Sequence, residues 1–230
     1  MSPVLLEGAD LRHVDTWLFD LDNTLYPRES GLGALMEPRI TDFMMETTGL
    51  DRPAAHALQK QYLLDHGLTL RGLMLHHQTN PDIYHARFHD LPLEALSRDE
   101  RLRAAIGALP GRRLIFTNAD AVHTRRVTER LGLDDLFQDV FHIGSADFQP
   151  KPAPAAFAAI LRAHAIRPLA TAFFEDSLVN LRAGKAVGMT TVLVGAATPG
   201  AQDEAASDFV DHRAADLASF LAAARTGDAP

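Results

Sequence analysis

The sequence predicts an α/β protein: a doubly wound parallel sheet with an all-helical insertion after its first strand. Three observations carry this. The short apolar run Trp17-Leu18-Phe19 reads as a strand buried on both faces, and it ends on two aspartates, Asp20 and Asp22. Residues 31–98 show helical periodicity and no convincing strand. From about residue 100 strand and helix alternate, the pattern of parallel β with right-handed crossovers. The predicted division is a core built from residues 1–27 and 100–230, with a helical domain at 28–99.

Composition bounds the function. With 230 residues, 47% of them apolar, the chain can build one sizeable core or a core with a smaller inserted domain. It has no cysteine, which removes disulfides, thiolate metal sites and thiol nucleophiles. A formal charge of −8 argues against a nucleic-acid polymer as partner. It leaves room for a small phosphate, which needs only a few local positive charges. Met1–Glu7 lacks the basic and apolar regions of a signal peptide, and no apolar stretch approaches transmembrane length. A cytoplasmic protein with no membrane partner is expected.

The elements follow in order. Alternation along the first strand sends Asp20 and Asp22 out of its end together, while Leu21 points back to apolar neighbours. Asn23 and Thr24 supply turn chemistry. Leu32, Leu35, Met36, Ile40 and Phe43 recur at helical spacing up to Gly49. Asp51 caps a second helix with Pro53 in its first turn, and Gly67 closes it. A short helix runs through Tyr84 and Phe88; Tyr62 and Phe88 read as core, and the histidines of this region as surface or packing groups. A helix over Glu100–Leu109 leads to the strand Leu114-Ile115-Phe116, which ends on Thr117-Asn118. After a helix stopped at Gly132 come a strand at Val140–Ile143, an extended loop at Phe148–Pro152 and an alanine-rich helix at Ala153–Ala165. The strand Thr171–Phe174 ends on Glu175-Asp176-Ser177. A helix at Leu178–Val187, a strand at Thr190–Val194, a short strand near Phe209-Val210 and a helix at Ala214–Ala224 complete the pattern, and the tail Arg225–Pro230 is expected to be loose.

Polar groups therefore stand at the carboxyl edge of one parallel sheet, where ligands bind in such folds. Each has a bland alternative: Asp-x-Asp as a solvated turn, Thr-Asn as turn chemistry, Pro-Lys-Pro as an exposed lysine, Glu-Asp-Ser as a helix cap. Together they answer one chemical problem. Two close carboxylates need a cation or a shared proton. Mg²⁺ takes hard oxygen ligands and keeps room for a phosphate. Held by Asp20 and Asp176, it would neutralise phosphoryl oxygens, with Lys151 as a second cation. The Thr117 hydroxyl and backbone N–H groups near Asn118 would hydrogen-bond the equatorial oxygens. Asp20 could then attack phosphorus, while Asp22 protonates the leaving group and later activates water.

Asp20-Leu21-Asp22-Asn23-Thr24-Leu25, Thr117-Asn118, Lys151-Pro152 and Glu175-Asp176 with Asn180 resemble, in this order, the four motifs of the haloacid dehalogenase (HAD) superfamily. The resemblance implies a HAD-like Rossmannoid core, with residues 28–99 as its cap domain. It implies Asp20 as nucleophile and metal ligand, Asp22 as acid and base with its backbone carbonyl on Mg²⁺, Asp176 as second metal carboxylate, and Glu175 on a metal-bound water. Asn180 stands where many relatives have an acid. Asp22–Pro27, Leu68–Leu73, His89–Leu93 and Phe116–Asp120 further resemble the pyrimidine 5′-nucleotidase branch, which implies nucleotides such as UMP and CMP as substrates. The cap would then choose the substrate, with Arg71 as its main polar contact and Asp120 and His123 close by. Three rivals use related chemistry: a dehalogenase, which has no task for Asp22; a phosphomutase or sugar-phosphate phosphatase; and a phosphoacceptor module, which expects a shorter chain with its aspartate after the third strand.

Overall fold

The computed structural model describes residues 8–195 and 208–227. Its centre is a six-stranded parallel sheet built from β2 (Thr16–Phe19), β3 (Arg112–Phe116), β4 (Asp139–Phe141), β5 (Thr171–Glu175), β6 (Thr190–Val194) and β7 (His212–Ala214). The spatial order is β4-β3-β2-β5-β6-β7. A separate parallel pair joins β1 (Asp10–Leu11) to β8 (Arg225–Thr226).

The central strands are apolar on both faces because each face has its own core. Trp17, Phe19, Ile115 and Phe174 pack into one cluster. Their neighbours Leu18, Leu114, Phe116 and Phe173 pack into another. Side-chain alternation thus divides one apolar run between two hydrophobic layers. Helices α5 (Glu100–Gly107), α6 (Ala121–Leu131), α7 (Pro154–Ala163), α8 (Leu178–Ala186) and α9 (Leu217–Ala223) accompany the sheet.

Between β2 and α5 lies the inserted all-helical cap: α1 (Leu32–Thr48), α2 (Arg52–His66), α3 (Thr69–His77) and α4 (Pro81–Ala86). Asp51 caps α2 by accepting from the Ala54 N–H at 3.0 Å. Tyr62 and Phe88 are buried in the apolar cluster that runs on into the core. The histidines pack too: Tyr62 Oη lies 2.9 Å from His77 Nε2, and the Tyr62 ring stacks on His76 at 5.3 Å. The cap leans on the core where the Lys151 loop emerges. A Cβ at Gly67 would stand 3.3 Å from the Lys151 carbonyl oxygen, and Gly67 also has a φ of +75°, so two constraints favour glycine there. Arg126 and Arg130 on α6 donate to the carbonyls of Leu91 and Leu93, fastening the chain that leads back from the cap.

Four expectations need correction. The last strand of the six-stranded sheet is His212–Ala214, not Phe209-Val210. Phe209 is buried in the second core and its carbonyl accepts from Thr191 Oγ1, while the Asp211 carboxylate takes the Thr191 N–H. Main-chain pairing with β6 begins only at Asp211, whose N–H donates to the Thr191 carbonyl at 3.1 Å. Strand β4 stops at Phe141, short of the expected Ile143, because His142 Nδ1 accepts from the Gly144 N–H and opens a 3-10 turn over Ile143–Ala146. The loop before Lys151 is turned and not extended, with Asp147 and Phe148 at φ of 51° and 55°. Arg225 and Thr226 are paired with β1 and not loose. The readings of Met1–Glu7 and of the last three residues lie outside the described residues. Among the described residues, no helix is long and apolar enough to cross a membrane.

Gly72 on α3 offers a stability test. Glycine to alanine inside a helix ordinarily gains about 1 kcal/mol. Here a Cβ would stand 2.3 Å from Tyr62 Cγ, and that ring is only 7% exposed. Overpacking wins: Gly72→Ala is expected to lose about 1–3 kcal/mol in urea unfolding. A variant as stable as wild type would contradict this packing.

Candidate active site

Three neighbouring strands deliver the site. Asp20 follows β2, Thr117 follows β3, and Glu175 ends β5 with Asp176 next to it. The order of connection reverses between β2 and β5, so the carboxylates sit at the switch point of a doubly wound sheet. The Asp20 N–H donates to the Phe174 carbonyl at 2.9 Å, and the Thr117 N–H to that of Phe141 at 3.0 Å. The ladder thus extends one residue past each strand and fixes where these side chains leave it.

Lys151 binds the strand ends together. Its Nζ donates to Asp20 Oδ1 at 2.7 Å, to Glu175 Oε2 at 2.8 Å and to the Phe116 carbonyl at 2.7 Å. These contacts use all three ammonium protons. The residue is 2% exposed, with the Phe116 and Phe173 rings 5.1 and 5.4 Å from Nζ. Asn118 sets the loop: its Nδ2 donates to the Lys151 carbonyl, and its Oδ1 accepts the Lys151 N–H. The Asn118 side chain is thus engaged with Lys151 main chain, and a substrate contact from Asn118 falls to its backbone, as the sequence reading has it. Glu175 also accepts from the Ser177 N–H and from Asn180 Nδ2 at 3.1 Å each, so Asn180 reaches the cluster through Glu175.

The electrostatics are unbalanced. Burial, with the charges of Asp22 and Asp176, pushes the Asp20 carboxyl above its usual range despite Lys151. Burial and the charge of Asp20 push Glu175 up further. Burial disfavours the Lys151 ammonium, yet Asp20 and Glu175 together hold it above the ordinary lysine value. Asp20, Glu175 and Asp176 each offer an oxygen, all within 4.8 Å of one another. Hard oxygen donors with surplus negative charge fit a divalent cation. Arg28 Nη2 lies 2.9 Å from Asp176 Oδ2 at the exposed side of this group.

Asp22 faces elsewhere. Its Oδ1 accepts from Tyr26 Oη at 2.5 Å and lies 2.9 Å from His123 Nε2. Burial works against its charge, but His123, Tyr26 and Lys151 outweigh that and hold it below the usual carboxylate range. His123 in turn is raised above the ordinary imidazole value, the Asp22 charge overcoming burial. Both partners escaped the sequence pattern as contacts of Asp22. Tyr26 stands four residues beyond Asp22, the one local signal available. His123 reads as an exposed or substrate-facing residue until folding brings it across 101 positions. Asp120 caps α6, accepting from the Val122 and His123 N–H groups at 2.7 and 3.0 Å.

Two further predicted residues are placed. The Thr117 hydroxyl oxygen accepts from the Ala119 N–H at 3.0 Å, and its own proton has no acceptor among the described residues. Arg71 is half-buried on α3, on the cap helix that follows Gly67. The structure gives its guanidinium no hydrogen bond with the core residues above.

Residues 14–188 match the haloacid dehalogenase-like hydrolases. The chain belongs to this family. This HAD hydrolase is 28% identical over 193 residues to phosphate metabolism protein 8 of Saccharomyces cerevisiae, a match covering 77% of this chain and 60% of that protein. It thus spans less than two thirds of that relative's length. Its fold overlays the HAD phosphatase of Thermococcus onnurineus with a TM-score of 0.57 at 19% identity, covering 89% of this chain and 94% of that one. For the β-phosphoglucomutase of Clostridium difficile the TM-score is 0.55 at 14% identity, covering 86% and 90%.

The raised carboxyls have a consequence for stability. Glu175, and His123 beside Asp22, hold protons in the folded protein that the unfolded chain has released. Folding stability therefore falls as pH rises through their folded values. Half-buried His85 and His212 shift the other way, so the window lies above the ordinary imidazole range. In EDTA the melting temperature is expected to drop between about pH 7 and about pH 8.5, and a divalent cation to recover more at the upper end. A melting temperature that climbs across this interval would contradict the assignment.

Proposed function

We propose that this HAD hydrolase is a Mg²⁺-dependent phosphatase that cleaves phosphate monoesters through an aspartyl-phosphate on Asp20. The observation that carries the reading is the division of labour between the two aspartates. Asp20 Oδ1 is held by Lys151, and Oδ2 has only a 3.5 Å contact with Thr24 Oγ1, which leaves an oxygen for attack. Asp22 is held apart by Tyr26 and His123. A dehalogenase needs no proton donor for a departing halide, so a dedicated setting for Asp22 favours phosphoryl transfer.

Asp20 and Asp176 would hold Mg²⁺ with the Asp22 backbone carbonyl, Glu175 would hold a metal-bound water, and the ion would offset charge on the phosphoryl oxygens. An Asp20 oxygen forms a bond to phosphorus as the ester P–O bond breaks, and Asp22 gives its proton to the leaving oxygen. Asp22, now a carboxylate, takes a proton from water, which attacks phosphorus and frees Asp20 and inorganic phosphate. His123, Tyr26 and Lys151 favour ionised Asp22, as the base half requires; a bound phosphoryl dianion opposes that charge and favours the acid half. Lys151 keeps the attacking carboxylate in place, and the Thr117 proton serves an equatorial oxygen.

Residues 28–99 act as the cap over the leaving group, with residues 1–27 and 100–230 as the core. The substrates are pyrimidine nucleoside 5′-monophosphates. This rests on the four strings shared with the pyrimidine nucleotidase branch, including the one that holds Arg71. Its fork of donors suits a base carbonyl or a phosphate.

A panel of phosphate monoesters tests the proposal. With Mg²⁺ the enzyme is expected to prefer UMP and CMP to sugar phosphates, and EDTA should silence it. Arg71→Ala should lose on the order of 2 kcal/mol in kcat/KM for UMP and far less for p-nitrophenyl phosphate. Activity undiminished in EDTA would remove the metal. Equal losses on both esters would remove Arg71 from base recognition, and isomerisation of a sugar phosphate without release of phosphate would point to a mutase.

A further inference from the structure

The acid–base role of Asp22 requires one carboxylate oxygen to point at the leaving group in both half-reactions. The structure shows how that oxygen is chosen. Tyr26 Oη and His123 Nε2 converge on the same atom, Oδ1, at 2.5 and 2.9 Å. Oδ2 has no hydrogen bond among the described residues, and the side chain retains 31% of its exposure. Two donors on one oxygen restrain rotation of the carboxylate and leave the other oxygen free to meet substrate.

His123 is arranged for this contact alone. Its side chain is 2% exposed, and its Nδ1 is buried with no hydrogen-bond partner. An unpaired buried polar atom is destabilising, so a histidine chosen only for packing would be poorly placed here. A carboxylate accepts only, so Nε2 carries the proton in this contact. The two donors come from different elements, Tyr26 from the segment after β2 and His123 from the first turn of α6. Asp120 pins that turn through its caps to the Val122 and His123 N–H groups. A donor on a capped helix is a firmer support than one on a free loop.

We propose that His123 and Tyr26 are positioning residues for proton transfer, clamping Asp22 Oδ1 so that Oδ2 faces the leaving oxygen and then the attacking water. This inference rests on Asp22 being the acid and base of the proposed phosphatase. A purely structural His–Asp pair would alter all substrates alike. A clamp on the proton donor would alter them according to how much help the leaving group needs.

The experiment compares kcat/KM for phenyl phosphate and p-nitrophenyl phosphate, two esters alike in size but unlike in leaving-group basicity. His123→Asn keeps a polar side chain that stops short of Asp22, and His123→Gln restores a donor close to the position of Nε2. His123→Asn is expected to lose on the order of 10²-fold on phenyl phosphate and less than about tenfold on p-nitrophenyl phosphate. His123→Gln should recover most of the phenyl phosphate loss. Tyr26→Phe should show a smaller loss with the same preference, and it tests the clamp should His123→Asn not fold. Asp22→Asn separates the two levels of the claim. Selectivity in Asp22→Asn with equal losses on both esters in His123→Asn and Tyr26→Phe would overturn the clamp alone. Equal losses in Asp22→Asn itself would overturn the acid–base reading and the clamp with it.

Discussion

One buried ammonium holds the strand ends in register for chemistry. Lys151 Nζ joins Asp20, Glu175 and the Phe116 carbonyl, groups belonging to β2, β5 and β3. Buried ion pairs are a weak source of net stability, because desolvation offsets the attraction; well-packed apolar residues often do as well. Removing one member is another matter and costs about 3–5 kcal/mol, since a charge is left alone in the interior. The triad therefore makes sense as a device for geometry. It orients one Asp20 oxygen and leaves the other to react. The loop that supplies Lys151 is fixed by Asn118 on one side and touched by the cap at Gly67 on the other. Site geometry and cap contact thus meet on the same few atoms.

The triad also leaves a charge unpaid. Lys151 faces Asp20 and Glu175, and Asp176 adds a third carboxylate within 4.8 Å. Desolvation raises the affinity of Asp20 and Glu175 for protons, and repulsion among the carboxylates raises it further. A site so built attracts a cation and, beside it, a group whose charge the cation can share. Asp22 repels Asp20, but His123 and Tyr26 hold its own carboxyl below the usual range, and two aspartates two residues apart thereby acquire different characters.

Much of this was legible in the sequence. The strand ends were visible because buried apolar runs do not end on carboxylates by chance, and their order along the chain matched one sheet edge. Helix ends were marked by Asp51, Gly49 and Gly67, all of which the structure uses as caps. What escaped was long-range or mixed in character. His123 meets Asp22 only through the pairing of β2 with β3, which no local pattern encodes. Phe209-Val210 reads as a strand by hydrophobicity, but Phe209 is a core anchor and main-chain pairing begins only at Asp211. The pairing of Arg225-Thr226 with Asp10-Leu11 joins two segments of two residues each, too short to show strand periodicity. Asn118 was read by its position at a strand end, whereas its amide matches the peptide of Lys151 in both donor and acceptor.

The central claim is that Asp20 takes the phosphoryl group. Acid quenching during turnover of a phosphate monoester with Mg²⁺, followed by peptide mass spectrometry, tests it most directly, because an acyl phosphate survives acid better than base. One phosphoryl group on the peptide containing Asp20, absent from Asp20→Asn, is the predicted result. An enzyme that turns over rapidly yet carries no phosphoryl group, or carries it on another residue, would contradict the account.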